Sequence, residues 1–157
     1  MPRPLVKTMN CFLMSLKPQF ADEILVGSKK CEVRTFNSPI GRGDTVLVYY
    51  SSPPVKAVKG FFIAGDSIVV RPSELMGILN NRCSDMPRDN LEYVMTRYLR
   101  SRRKILILEV LNPTILPNAV TMEELRKLNI KPPRSYMKID NKACQEIVAK
   151  ALNRKTQ

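Results

Sequence analysis

No histidine occurs among the 157 residues, which removes Ser-His-Asp and Cys-His catalytic machines and any Cys/His zinc set. Cysteine is sparse. Cys11, Cys31, Cys83 and Cys144 form no CxxC pair, whereas a four-thiolate zinc site needs two close pairs. The four therefore read as free thiols buried as small hydrophobes, and no metal or other cofactor is expected. Only 14 residues are acidic, and none makes a DxD or ExxE cluster beside the candidate pocket described below, so metal-assisted nuclease chemistry lacks its ligands. Any chemistry falls to Lys, Glu, Asp, Ser, Thr, Tyr or Cys. No apolar run approaches the roughly 20 residues that span a bilayer. Met1 to Lys7 carries charge but no continuous apolar stretch and no small-residue cleavage site. The expectation is a cytoplasmic protein with no membrane partner.

What the chain has in excess is positive charge. Lys and Arg number 26, giving a net charge of +12 and a pI near 9.8. A surplus of this size draws polyanions, and each neutralised phosphate releases counterions; the alternative is a basic surface without a partner. The length fits one domain with one proper core, and 44% hydrophobic with 25% charged residues is ordinary for a soluble globular protein.

Residues 1–10 read as an extended basic lead-in. Strands are expected at 12–16, 30–35, 44–50, 55–63 and 104–111, with Ser51-Ser52-Pro53-Pro54 forcing a turn or bulge. Gly65-Asp66 reads as a tight turn into a β-branched run at 67–70. From Pro72 the pattern turns helical: a short helix ends at Asn80-Asn81, and a second carries Leu91, Val94, Met95 and Tyr98 on one face. Thr121 followed three residues later by Glu124 is a capping box for a short helix through Leu128. An amphipathic helix over 141–152 and a frayed tail complete the chain; the helix docks on the barrel or serves an appended role.

The segment 13–34 carries the most information. Its apolar run stops at Pro18, which suits a helix's first turn. Phe20, Ile24 and Leu25 recur at helical spacing, and Gly27 sits where a left-handed C-cap belongs. Beyond it, Glu32 and Arg34 share one face of a strand, with Cys31 and Val33 on the other. Lys17, Lys29, Lys30, Glu32 and Arg34 thus gather at a helix-to-strand junction, a mixed acid–base cluster suited to a polar ligand.

The pattern Ser-Leu-Lys-Pro followed by Ile-Leu-x-Gly-x-Lys-x-x-Glu-x-Arg resembles the ASCH domain of the PUA-like superfamily. The Gly43-Asp44 strand with its serine-proline element at 51–54, and Pro132-Pro133-Arg134-Ser135-Tyr136, resemble that family's later blocks, in the same order. The resemblance covers 11–140 and leaves 141–157 outside. It implies an α+β, mainly β fold: a small mixed, mostly antiparallel β-barrel of five or six strands with peripheral helices. It also implies binding of RNA or of a modified base or nucleoside. Some small relatives remove acetyl groups from acetylated cytidine with a lysine, a threonine and a distal glutamate. Gly27, Lys29 and Arg34 match that pattern, but Glu32 stands at the threonine position, and the distal acid could be Glu74 or Glu92. If the chain is an enzyme, Lys29 and Glu32 would be its catalytic pair, acting on a modified nucleoside or on RNA.

The candidate ligand residues fall into four groups. Lys17, Lys29, Lys30, Glu32 and Arg34 form a pocket wall, since a base edge offers both donors and acceptors; otherwise Glu32 makes a surface ion pair worth little. Ser51 and Ser52 offer hydroxyls, or simply a turn. Arg100, Arg102 and Arg103, with Arg97, Lys104 and Tyr98 among them, form a phosphate-binding arm or a helix C-terminus dressed with cations. Arg134, Ser135 and Tyr136 lie on a proline-stiffened loop as cation, hydroxyl and stacking ring, or Tyr136 packs on the core. Oligomeric state is not legible.

Overall fold

The computed structural model describes residues 9–83, 86 and 88–153; most of the lead-in and the tail over 154–157 lie outside the described residues. In chain order the elements are β1 (Cys11–Leu16), α1 (Pro18–Leu25), β2 (Cys31–Thr35), β3 (Thr45–Tyr50) and β4 (Ala57–Val70). A single 3-10 turn (Pro72–Glu74), α2 (Leu75–Arg82) and α3 (Arg88–Tyr98) follow. The chain then runs through β5 (Ile105–Thr121), α4 (Met122–Lys127), β6 (Tyr136–Ile139) and α5 (Asn141–Asn153). No helix among the described residues is long and apolar enough to cross a membrane.

The six strands form one mixed sheet in the order β2-β5-β4-β3-β1-β6. β1 pairs parallel with β3, and every other pairing is antiparallel. The sheet curls into a half-barrel, giving the expected small barrel with helices around it. It is open between its two edge strands, β2 and β6. Because both faces are covered, β1 and β3 read as unbroken apolar runs rather than alternating ones. Phe12, Met14 and Leu16 enter one core with Phe20, Ile24 and Leu25 of α1. Cys11 and Leu13 enter a second core with Cys144, Ile147 and Ala151 of α5. The C-terminal helix therefore docks on the sheet. A third core, at the β2–β5 end, packs Val33 and Ile107 against Leu75, Leu79 and Val94 of α2 and α3.

Two expectations need correcting. Gly65-Asp66 is not a turn. Ala64 pairs with Val110 and Ser67 with Leu108, so residues 65 and 66 together face Glu109 and make a bulge inside one long strand. Nor are the cysteines free: Cys11 is disulfide-bonded to Cys144 and Cys31 to Cys83. The fold brings each pair together across 133 and 52 residues, a proximity that no local spacing in the sequence records.

Candidate functional site: a basic cavity at the open seam of the sheet

The seam between β2 and β6 is spanned by side chains instead of a ladder. Arg34 on β2 donates from Nε and Nη2 to Ser135 Oγ at 3.1 and 3.0 Å. Just beyond β2, the Asn37 and Ser38 N–H groups donate to the Tyr136 hydroxyl, which donates in turn to the Ser38 carbonyl at 2.6 Å. Beside this seam lies a cavity of about 600 Å³, walled by the β1–α1 junction, β2, α3 and the loops around 102 and 134.

Local chemistry sets the inner wall. Pro18 opens α1 and Gly27 closes it at φ +86°, a backbone region that glycine enters without Cβ strain. That turn brings Lys29 N–H onto the Glu23 carbonyl at 3.0 Å and sends the Lys29 side chain inward. Lys29 Nζ lies 2.7 Å from Glu32 Oε1, and Arg34 Nη1 lies 3.2 Å from Glu32 Oε2. Lys29 and Glu32 are 5% and 3% exposed, so they form a buried ion pair and not a surface bridge, and the partly buried Arg34 completes a charged triad. Burial by itself pushes the Glu32 carboxyl up. The Lys29 ammonium and the Arg34 guanidinium, with their hydrogen bonds, outweigh that and hold it below its ordinary value.

Aromatic rings line the same space. Lys29 Nζ sits 5.0 Å from the Phe20 ring centre, Lys17 Nζ 5.3 Å from that of Tyr93, and the two rings are 4.8 Å apart. α3 is held over the cavity by Asn90, whose Nδ2 donates to Glu23 at 2.7 Å, and by the Tyr98 hydroxyl, which donates to the Val33 carbonyl at 3.1 Å. Burial and the nearby Glu32 charge push the Tyr98 hydroxyl up, against the pull of Arg34 and Arg97. Arg97 lies over the Tyr98 ring, and Arg103 donates to the Phe36 carbonyl.

Of the residues expected at a site, Lys17, Lys29, Glu32, Arg34, Ser51, Arg102, Arg103, Arg134 and Ser135 line this one cavity. Others lie elsewhere. Lys30 lines a separate, smaller hollow with Asp66, Arg82 and Glu109. Ser52 and Arg100 are not among the lining residues. Tyr136 packs in the core as the clasp of the seam and offers no stacking face. Glu74 accepts the Arg71 N–H at the start of the 3-10 turn, and exposed Glu92 lies 3.9 Å from Arg88; neither reaches the cavity. Sequence reasoning missed Tyr93 and gave Phe20 only a packing role. Their relation depends on how α3 crosses α1, which the helical period of either does not encode.

Among the described residues, seven cationic side chains line the cavity: Lys17, Lys29, Arg34, Arg97, Arg102, Arg103 and Arg134. Glu32 is the single carboxylate among the described lining residues. Both of its oxygens are engaged by cations, so what remains for a ligand is positive charge, serine hydroxyls and aromatic faces. Among the described residues, no group of three acidic or thiol side chains could hold a metal ion.

No protein-family model and no curated protein sequence matches the chain. Solved structures do. The crystal structure of ASCH from Zymomonas mobilis is similar with a TM-score of 0.72 at 19% identity, over 89% of this chain and 94% of that one. A single-residue variant of the same protein gives 0.73 at 17% identity, over 89% and 95%. The N-terminal domain of McrB from Staphylothermus marinus gives 0.59 at 11% identity, over 94% and 98%.

Proposed function

We propose, from the premise that this chain has the ASCH-domain, PUA-like fold, that it binds single-stranded RNA and takes one nucleotide into the seam cavity. The observation that carries the reading is the lining itself. Seven cations and one spent carboxylate surround two adjacent aromatic rings in about 600 Å³, a volume within the usual range for a ligand pocket. Phosphates answer the guanidinium groups, and a base answers the rings. The triad of Lys29, Glu32 and Arg34 is the rigid wall against which a base edge is read. Glu32 serves there as the group that orients two cations. Its lowered pKa and double engagement weigh against a role as general base, which works best with a pKa near the working pH.

The test is a salt titration of binding to a short single-stranded RNA. The logarithm of affinity should fall steeply and linearly with the logarithm of salt concentration. Replacing Arg102 and Arg103 by alanine should reduce that slope by roughly one unit per lost phosphate contact. Affinity that stays flat from low to high salt would overturn the reading. Release of acetate from acetylated cytidine by the wild-type protein would establish the hydrolase instead.

A further inference from the structure

The cationic side chains of the cavity are not evenly spread. Lys29 and Arg34 are held by Glu32 on the inner wall, while Arg97, Arg102, Arg103 and Arg134 stand exposed around its rim with no carboxylate among the lining residues beside them. Arg102 and Arg134 have no hydrogen-bond or ion-pair partner among the described residues. After Glu32 is counted, the described lining residues keep a surplus of six positive charges.

An internal stretch of RNA answers that surplus poorly. A cavity of this size takes roughly one or two nucleotides, and each internal phosphodiester brings a single negative charge. A terminal phosphomonoester carries about 1.5 to 2 charges and three strong acceptor oxygens on one phosphorus. It also suits several converging arginine forks, each able to give two parallel hydrogen bonds. We infer that the seam cavity recognises a nucleotide bearing a terminal phosphomonoester, its base against Phe20 and Tyr93 and its phosphate among the rim arginines. The inference rests on the RNA-binding reading for its first source, a phosphorylated RNA end; a free nucleoside monophosphate is the second source of the same chemistry.

Anisotropy with one labelled oligoribonucleotide in three forms separates the outcomes: both ends hydroxyl, a 5′-phosphate, or a 3′-phosphate. One phosphorylated form should bind at least about tenfold tighter than the hydroxyl form, the equivalent of roughly 1.4 kcal/mol. The double variant R102A/R134A should bring all three forms within about twofold of one another. Competition with a nucleoside and its monophosphate assigns the source. If the monophosphate displaces the oligonucleotide at equal concentration and the nucleoside does not, the ligand is the free nucleotide. Three equal affinities with salt-dependent binding intact would overturn the terminal-phosphate inference and leave RNA binding standing. If no oligonucleotide binds, the RNA reading falls, and the inference falls with it unless the monophosphate binds the protein directly in preference to the nucleoside.

Discussion

Glu32 shows how much one side chain decides. Replaced by Gln, it would leave the buried Lys29 and the partly buried Arg34 against a neutral amide, and breaking a buried pair costs about 3 to 5 kcal/mol. An unfolding experiment on Glu32→Gln should therefore show a Tm lowered by roughly 10 °C for a chain of this size. The pH dependence has a definite sign. The folded-state pKa lies below the unfolded value near 4.3, so the triad's contribution is complete above that value and is lost as pH falls through the folded pKa. The difference in stability between wild type and Glu32→Gln should hold constant at neutral pH and shrink below about pH 4. A difference independent of pH down to 2 would show that the carboxylate is not what the triad needs. At this scale the sequence was partly legible. Alternation along β2 sent Glu32 and Arg34 one way and Cys31 and Val33 the other, as observed. The same alternation turns Ser135 toward the cavity and Tyr136 into the core, but the proline-rich run before β6 hides where the strand begins.

Between elements, the close approach of α1 to β4 is set by Gly60. A Cβ there would lie 2.5 Å from the Thr114 carbonyl oxygen and 2.6 Å from Leu25 Cδ2. Leu25 could turn aside, but the backbone carbonyl on β5 cannot without disturbing the ladder. At Gly27 the space is open, and the cost is that of φ +86° alone, about 1 to 2 kcal/mol. Chemical denaturation should rank Gly60→Ala as the more damaging substitution, with Gly27→Ala losing about 1 to 2 kcal/mol. The reverse order would mean that α1 is positioned by its C-cap and not by its seat on the sheet. The helix over 18–25 was legible because Pro18, the apolar spacing and Gly27 agree. β4 and β5 were legible only in part, as strands at 55–63, 67–70 and 104–111: a Gly-Asp step between strands signals a turn and a bulge equally well, and only the pairing partner, Glu109, distinguishes them.

Across the whole molecule, the two disulfides tie distant segments. Loop entropy gives roughly 4 to 5 kcal/mol for a crosslink of such span. Protein denatured in an alkylating agent without reductant should show no free thiol. After reduction it should show four and melt at least about 10 °C lower. Four alkylated thiols in the unreduced sample would restore the free-thiol expectation and fit a reducing cytoplasm, where disulfides are rare. Spacing could not foretell the pairing, because each bond joins residues whose proximity exists only once the sheet and helices have assembled. The basic surplus was plain from composition; that seven of those charges share one cavity was not.

The bond between Cys11 and Cys144 also makes most of the polypeptide a closed covalent ring. An unfolding machine that hauls a chain single file through a narrow pore would draw in either end freely, then reach a knot point where two strands must enter abreast. Mechanical extraction from either terminus would stall there until the bond is reduced, so the oxidised protein should outlast its reduced form under processive degradation even where the two are equally folded.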